Sequence, residues 1–188
     1  MRTTDPNPGY KFGTVLTEQA FDEGLLPTTV SVGVIMGSDS DWNTVKPCCD
    51  MLEQLEIRFE YGVISAHRTP ERMTQYVSQA ESRGLKVVAA CAGGSCHLQG
   101  MSSSHTTLLV LGFAPLSDKF GPGDVLGSCV RMPAGVPLPF VGFDKAGAVN
   151  TALTAARALA IADEELRKRL VDFREAQRES IPYSPHMD

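Results

Sequence analysis

The sequence has no CxxC pair, no HxH or HExxH spacing, no Walker phosphate loop and no GxGxxG turn. The first three absences leave zinc sites and redox dithiols without a ligand pattern. The last two remove the usual signatures of nucleoside triphosphate and dinucleotide binding. Positive charge is also scarce: 17 Lys and Arg stand against 22 Asp and Glu, for a net charge of −5. A nucleic-acid partner is therefore not expected, because such surfaces cluster Lys and Arg against phosphates. A single small phosphate remains within reach of one Arg and a helix start. No apolar run nears the roughly 18–20 residues of a membrane span. The opening MRTTDPNPGYKFG lacks the apolar core of a secretory signal. A cytoplasmic protein with no membrane partner is expected. The five cysteines are odd in number and mostly sit in apolar segments, which reads as reduced thiols. No metal and no cofactor are expected.

The chain has 188 residues, 43% of them hydrophobic, enough for one domain with a full core. VSVGVIM (30–36), FEYGVIS (59–65), KVVAACA (86–92), LLVLGF (108–113) and LPFVGF (138–143) are short, nearly continuous apolar runs. Such runs mark strands buried on both faces of a parallel sheet. Between them Val45, Cys48, Cys49 and Leu52 recur at helical spacing, as do Met73, Tyr76, Val77 and Ala80. Pro47 predicts an irregular first turn for the first of these helices. Thr69-Pro70-Glu71 reads as the capped start of the second, and Gly84 as its stop. Helices are also predicted over 146–161 and about 163–178. The fold class is therefore α/β: a three-layer α/β/α sandwich around a parallel sheet, flavodoxin-like or Rossmann-like. The expected organisation is an N-terminal arm outside the core (1–28, with a short helix possible at 17–26), one catalytic domain (29–180) and a tail (181–188).

Ligands of such sheets bind beyond the carboxyl ends of the strands. The polar, Gly-rich stretches 37–42, 65–70, 92–101 and 114–124 fall there. GSDSD (37–41) offers Ser38 and Ser40 hydroxyls at a helix start, where an anion is favoured. Asp41 either caps that helix or holds a sugar hydroxyl. In SAHRTP, Ser65 and Arg68 suit a phosphate, and His67 would lie beside it. A plain capped turn, with Arg68 in solvent, is the competing reading. In AGGSCHLQG, Gly93 and Gly94 permit close ligand approach. His97 follows at the next helix start, where the dipole favours a neutral imidazole able to act as a base. A histidine in a satisfied loop is the alternative there. His105 is a weaker candidate on the same helix.

Taken together, MGSDSDW (36–42), VISAHRTPERM (63–73), CAGGSCHLQGM (91–101) and RMPAGVP (131–137) closely resemble the PurE family of purine biosynthesis, over about residues 30–178. The resemblance implies an octameric α/β/α enzyme. It implies a mutase that moves a carboxyl group of 5-(carboxyamino)imidazole ribonucleotide from the exocyclic nitrogen to ring carbon C4. Carried over by position, Ser38, Ser65 and Arg68 would bind phosphate with Ser40 nearby, and Asp41 would hold the ribose. Gly93 and Gly94 would make room for the imidazole. His67 would sit by the migrating carboxyl group, carbon dioxide being the transient partner, and His97 would move the ring proton. Departures lie at Ser95, Cys96 and Gln99, where the mutase pattern has Ala, Ala and Pro. Arg131-Met132-Pro133 is similar to a second class that uses free carbon dioxide. A paralogue that carboxylates or decarboxylates a related imidazole nucleotide, and a non-catalytic phosphoribosyl-binding protein, stand as alternatives.

Overall fold

The computed structural model describes residues 9–183; the start of the expected arm and most of the expected tail lie outside them. Six strands form one parallel sheet in the order β1-β3-β2-β4-β5-β6. They are β1 (Gly13–Val15), β2 (Val32–Met36), β3 (Phe59–Val63), β4 (Val87–Cys91), β5 (Leu109–Ala114) and β6 (Phe140–Phe143). Among the described residues seven helices accompany them: α1 (Glu18–Asp22), α2 (Trp42–Gln54), α3 (Pro70–Ala80), α4 (His97–Ser104), α5 (Pro122–Val130), α6 (Asp144–Leu159) and α7 (Glu164–Glu179). This is the flavodoxin-like α/β sandwich that the strand pattern predicts.

The two cores follow from the period-two alternation of strand side chains. Val32, Val34 and Met36 of β2 and Val87, Ala89 and Cys91 of β4 face α2 and α6. Ile35, Val88 and Ala90 face the other way, onto Met73, Tyr76, Val77 and Ala80 of α3. Both faces are covered, so the central strands have no polar side. The alanines of α6 allow it to lie close on the sheet, and Gly147 meets the backbone of Gly142 directly. Ahead of α2, residues Asp39–Asp41 form a 3-10 turn. Pro47 lies inside α2, whose regular part starts only at Trp42.

Two expectations need correction. Residues 9–28 do not stand outside the core. Gly13–Val15 pair with Phe59–Tyr61 as the sheet's edge strand, and Phe21 and Leu26 are buried in the second core. A buried, bidentate ion pair helps to hold this segment. Arg83 donates to Glu60 at 2.7 and 2.9 Å and to the Pro27 carbonyl at 3.0 Å. The second correction concerns the cysteines. Cys96 and Cys129 are joined by a disulfide, their Cα atoms 5.5 Å apart, because α5 packs its end against the start of α4. Cys48, Cys49 and Cys91 are buried free thiols, and burial pushes the Cys48 thiol up to about 12. No helix among the described residues is long and apolar enough to cross a membrane.

Candidate active site

Three loops meet at the carboxyl ends of β2, β3 and β4. The β2 loop closes on itself. The Ser38 N–H donates to Asp41 Oδ2 at 3.0 Å, and Ser38 Oγ accepts from the Ser40 N–H at 3.4 Å. Ser38 is thus the cap of this turn, with Asp41 as its capping-box partner; at the start of α2 itself the Asp41 side chain makes no cap bond. Burial raises its carboxyl above the usual range, while the backbone N–H of Ser38 and then the nearby Arg68 charge pull the other way.

The β3 loop differs from its sequence reading in one detail. Thr69 precedes α3 but makes no side-chain cap. Its hydroxyl turns back, accepting from the Ser65 N–H and donating to the Ser65 carbonyl, each at 3.0 Å. That closure leaves Ser65 Oγ free to accept from the Arg68 backbone N–H at 3.2 Å and from Arg68 Nε at 3.3 Å. Arg68 then reaches across to the first loop, where Nη2 donates to the Gly37 carbonyl at 2.7 Å. It is braced against the site although it stays exposed to solvent. The signal that could have revealed Thr69 is the Ser-x-x-x-Thr spacing, which suits a closed loop as well as a cap.

The β4 loop carries the glycines. Gly94 has φ +78°, a region disfavoured for other residues. A Cβ on Gly94 would crowd Phe120 at 3.2 Å, and one on Gly93 would crowd Pro115 at 3.1 Å. His97 is the first residue of α4. Its Nδ1 lies 3.0 Å from His67 Nε2, with the rings edge to face and their centres 4.9 Å apart. A hydrogen bond at that distance needs a hydrogen on one of the two nitrogens, so the pair shares a proton position.

These groups enclose a cavity of about 370 Å³, lined by Gly37, Ser38, Asp41, Ser65, His67, Arg68, Gly93, Ser95 and His97 among others. Ser40 and Gly94 shape its loops but do not line it. An adjoining hollow of about 450 Å³ shares Ala66, His67 and His97 and continues over Met101, Met132, Pro133 and Val136. The two histidines therefore stand where a polar cradle meets an apolar recess. His105 is elsewhere: its Nδ1 is 2.8 Å from the Met101 carbonyl and 3.0 Å from Ser104 Oγ, at the end of α4. Among the described residues no group of three or more His, Cys, Asp or Glu stands together as metal ligands. The cradle offers one guanidinium and three serine hydroxyls, from Ser38, Ser65 and Ser95, a set that suits a phosphate monoester.

A sequence model of one family, described as AIR carboxylase, matches residues 31–180. The chain belongs to the AIR carboxylase family. Relatives in that family include N5-carboxyaminoimidazole ribonucleotide mutases from Bacillus subtilis, 46% identical over 80% of this chain and 93% of that protein, and from Brucella melitensis, 45% identical over 84% and 97%. The mutase of the same name from Pseudomonas aeruginosa is 47% identical over 82% and 94%. Among solved structures, Treponema denticola PurE superposes with a TM-score of 0.71 at 27% identity, over 79% of this chain and 91% of that one. The match to the family begins at β2, so β1 and α1 lie outside it.

Proposed function

We propose that this chain is a mutase acting on N5-carboxyaminoimidazole ribonucleotide in purine biosynthesis. The single observation that carries the reading is the His67–His97 contact at the junction of phosphate cradle and apolar recess. In this reading Arg68, Ser38 and Ser65 hold the phosphate, with Ser40 at the loop's outer side. Asp41 holds the ribose, and the ring lies over Gly93, with Gly94 giving room in the loop behind it.

The reaction is an isomerisation, so its proton count must close. The bond from the exocyclic nitrogen to the carboxyl carbon breaks, carbon dioxide leaves, and the nitrogen takes up one proton. The electron-rich ring carbon then attacks carbon dioxide, forming the new carbon–carbon bond. One proton must finally leave that ring carbon. His97 removes it, and His67, hydrogen-bonded to His97, completes a pair that returns one proton for each proton given. The recess keeps carbon dioxide near the ring, a proximity effect. No step requires biotin or a metal.

The same reading makes the chain a cytoplasmic homo-octamer. Met101, Leu126 and Val130 are 44%, 42% and 66% exposed on α4 and α5, which fits surfaces covered by further copies. Arg131-Met132-Pro133 favours a second reading, carboxylation of aminoimidazole ribonucleotide by free carbon dioxide. One experiment separates them: give the protein the carboxyamino nucleotide in one arm, and aminoimidazole ribonucleotide with bicarbonate in the other. A mutase forms the carboxylated ring rapidly in the first arm and slowly in the second. The reverse ranking assigns the second reading, and no product in either arm leaves a phosphoribosyl-binding protein.

A further inference from the structure

Gln99 stands two residues after His97 on the first turn of α4 and is fully buried at 0% exposure. Its Nε2 donates to two carbonyls, Ala92 and Phe113, each at 3.1 Å. Ala92 is the residue just before Gly93 and Gly94. Phe113 lies at the end of β5, where the pairing with β6 shifts register. The side chain passes over Gly112, where a Cβ would stand 3.4 Å from Gln99 Cγ. One amide therefore ties the helix that carries His97 to the ends of two strands.

That arrangement is costly. Gln99 Oε1 is buried with no hydrogen-bond partner. A buried acceptor left unpaired is a liability that an apolar side chain of the same length would avoid. Two carbonyls facing Nε2 fix which end of the amide points where, because only the NH2 end donates. The side chain also does not line the cavity. Its position is explained neither by core packing nor by contact with a bound molecule.

We propose that Gln99 is a positioning residue. By bridging the Ala92 and Phe113 carbonyls it sets the start of α4, and with it the His97 ring, against the Gly93–Gly94 loop and against His67. The proposal rests on the mutase reading for the use made of His97. Displacing a reacting group by about 1 Å can cost on the order of a hundredfold in rate, so this bridge is a control on turnover rather than on binding.

The test uses the full chain and two variants. Gln99→Met keeps the length of the side chain but replaces its amide with an apolar thioether that cannot donate. It is expected to lower kcat by about ten- to a hundredfold with KM within about twofold, measured well below the unfolding temperature. Gln99→Glu donates only when its carboxyl is protonated. Its kcat, expressed as a fraction of wild type, should rise as pH falls, whereas the Gln99→Met fraction should stay flat. A third readout needs no substrate: with 15N-labelled histidine, Gln99→Met should shift the ring signals of His67 and His97 and leave His105 unmoved. If the wild type does not turn over the carboxyamino nucleotide yet those ring signals shift, the mutase reading fails and the positioning role stands. If the wild type turns over, and Gln99→Met keeps kcat within twofold and leaves the ring signals in place, the positioning role is overturned. Should Gln99→Met not fold, a flat pH ratio for Gln99→Glu overturns it equally.

Discussion

His97 Nδ1 and His67 Nε2, thirty residues apart in the chain, stand 3.0 Å apart in the fold. Only one hydrogen can lie between them, so the two rings form one proton-holding unit. His97→Asn preserves some hydrogen bonding but accepts no proton. Turnover should fall by about a hundred- to ten-thousand-fold while nucleotide affinity changes by less than about tenfold. Steady-state kinetics alongside equilibrium binding checks this. Near wild-type turnover would remove His97 from the role.

Arg68 is held by Ser65 Oγ and the Gly37 carbonyl, with its fork turned toward the polar cradle. Arg68→Ala should weaken nucleotide binding by about 2–4 kcal/mol, the scale of a charge-assisted contact to phosphate. The corresponding nucleoside should bind almost unchanged. Titration calorimetry with both ligands decides it, and equal losses would mean that Arg68 does not read the phosphate.

The Cys96–Cys129 bond spans 33 positions and fastens α4 to α5. In a loop-closure picture a crosslink of that span contributes about 3–4 kcal/mol to stability. Cys129→Ser, or reduction of the native protein, should lower the denaturant midpoint accordingly. The double variant Cys96→Ser/Cys129→Ser should then be insensitive to reductant. Stability unchanged by reduction would show that the bond is not formed in solution. Structural disulfides are uncommon in reducing compartments, so the assay must fix the redox state.

Asp41 supplies a pH prediction. Its carboxyl is raised above the usual range, chiefly by burial. A raised carboxyl binds its proton more tightly in the fold than in the unfolded chain. Its contribution therefore favours the fold below the ordinary carboxylate range and is lost as pH rises through the raised value. Asp41→Asn removes that dependence. The stability difference between variant and wild type should move in the variant's favour from acid to neutral pH, measured by urea unfolding. A difference independent of pH would show that Asp41 titrates normally.

Much of the fold is legible in the sequence because its signals are local. Five apolar runs and two helical stripes mark the layers, and the sandwich follows from their alternation. β1 escaped that reading because Gly-Thr-Val has no alternation, and its pairing with Phe59–Tyr61 is long-range. α5 was hidden by Gly121-Pro122-Gly123, which reads as a loop although Pro122 suits a first helical position. The disulfide was hidden for the same reason as β1: spacing of 33 residues says nothing about proximity. The site was more accessible. Ser38, Asp41, Ser65, His67, Arg68, Gly93 and His97 all line one cavity because each follows the carboxyl end of a parallel strand. Thr69 was misread as a cap, since a hydroxyl can bond forward or backward with equal ease. Ring contact between His67 and His97 depends on the spacing of neighbouring loops, which no single segment encodes.

The edge strand β1 has a practical meaning for how the chain can be cut. Tyr10 packs its ring on Phe59 and Tyr61, and its hydroxyl donates to Asp50 at 2.6 Å. Trimming at residue 29 would strip β3 of this cover. It would leave the peptide groups of Phe59, Glu60 and Tyr61 without strand partners on that side, an edge onto which other strands can add. The N-terminal segment thus shields the β3 margin, and a fragment that keeps this cover has to begin before Tyr10.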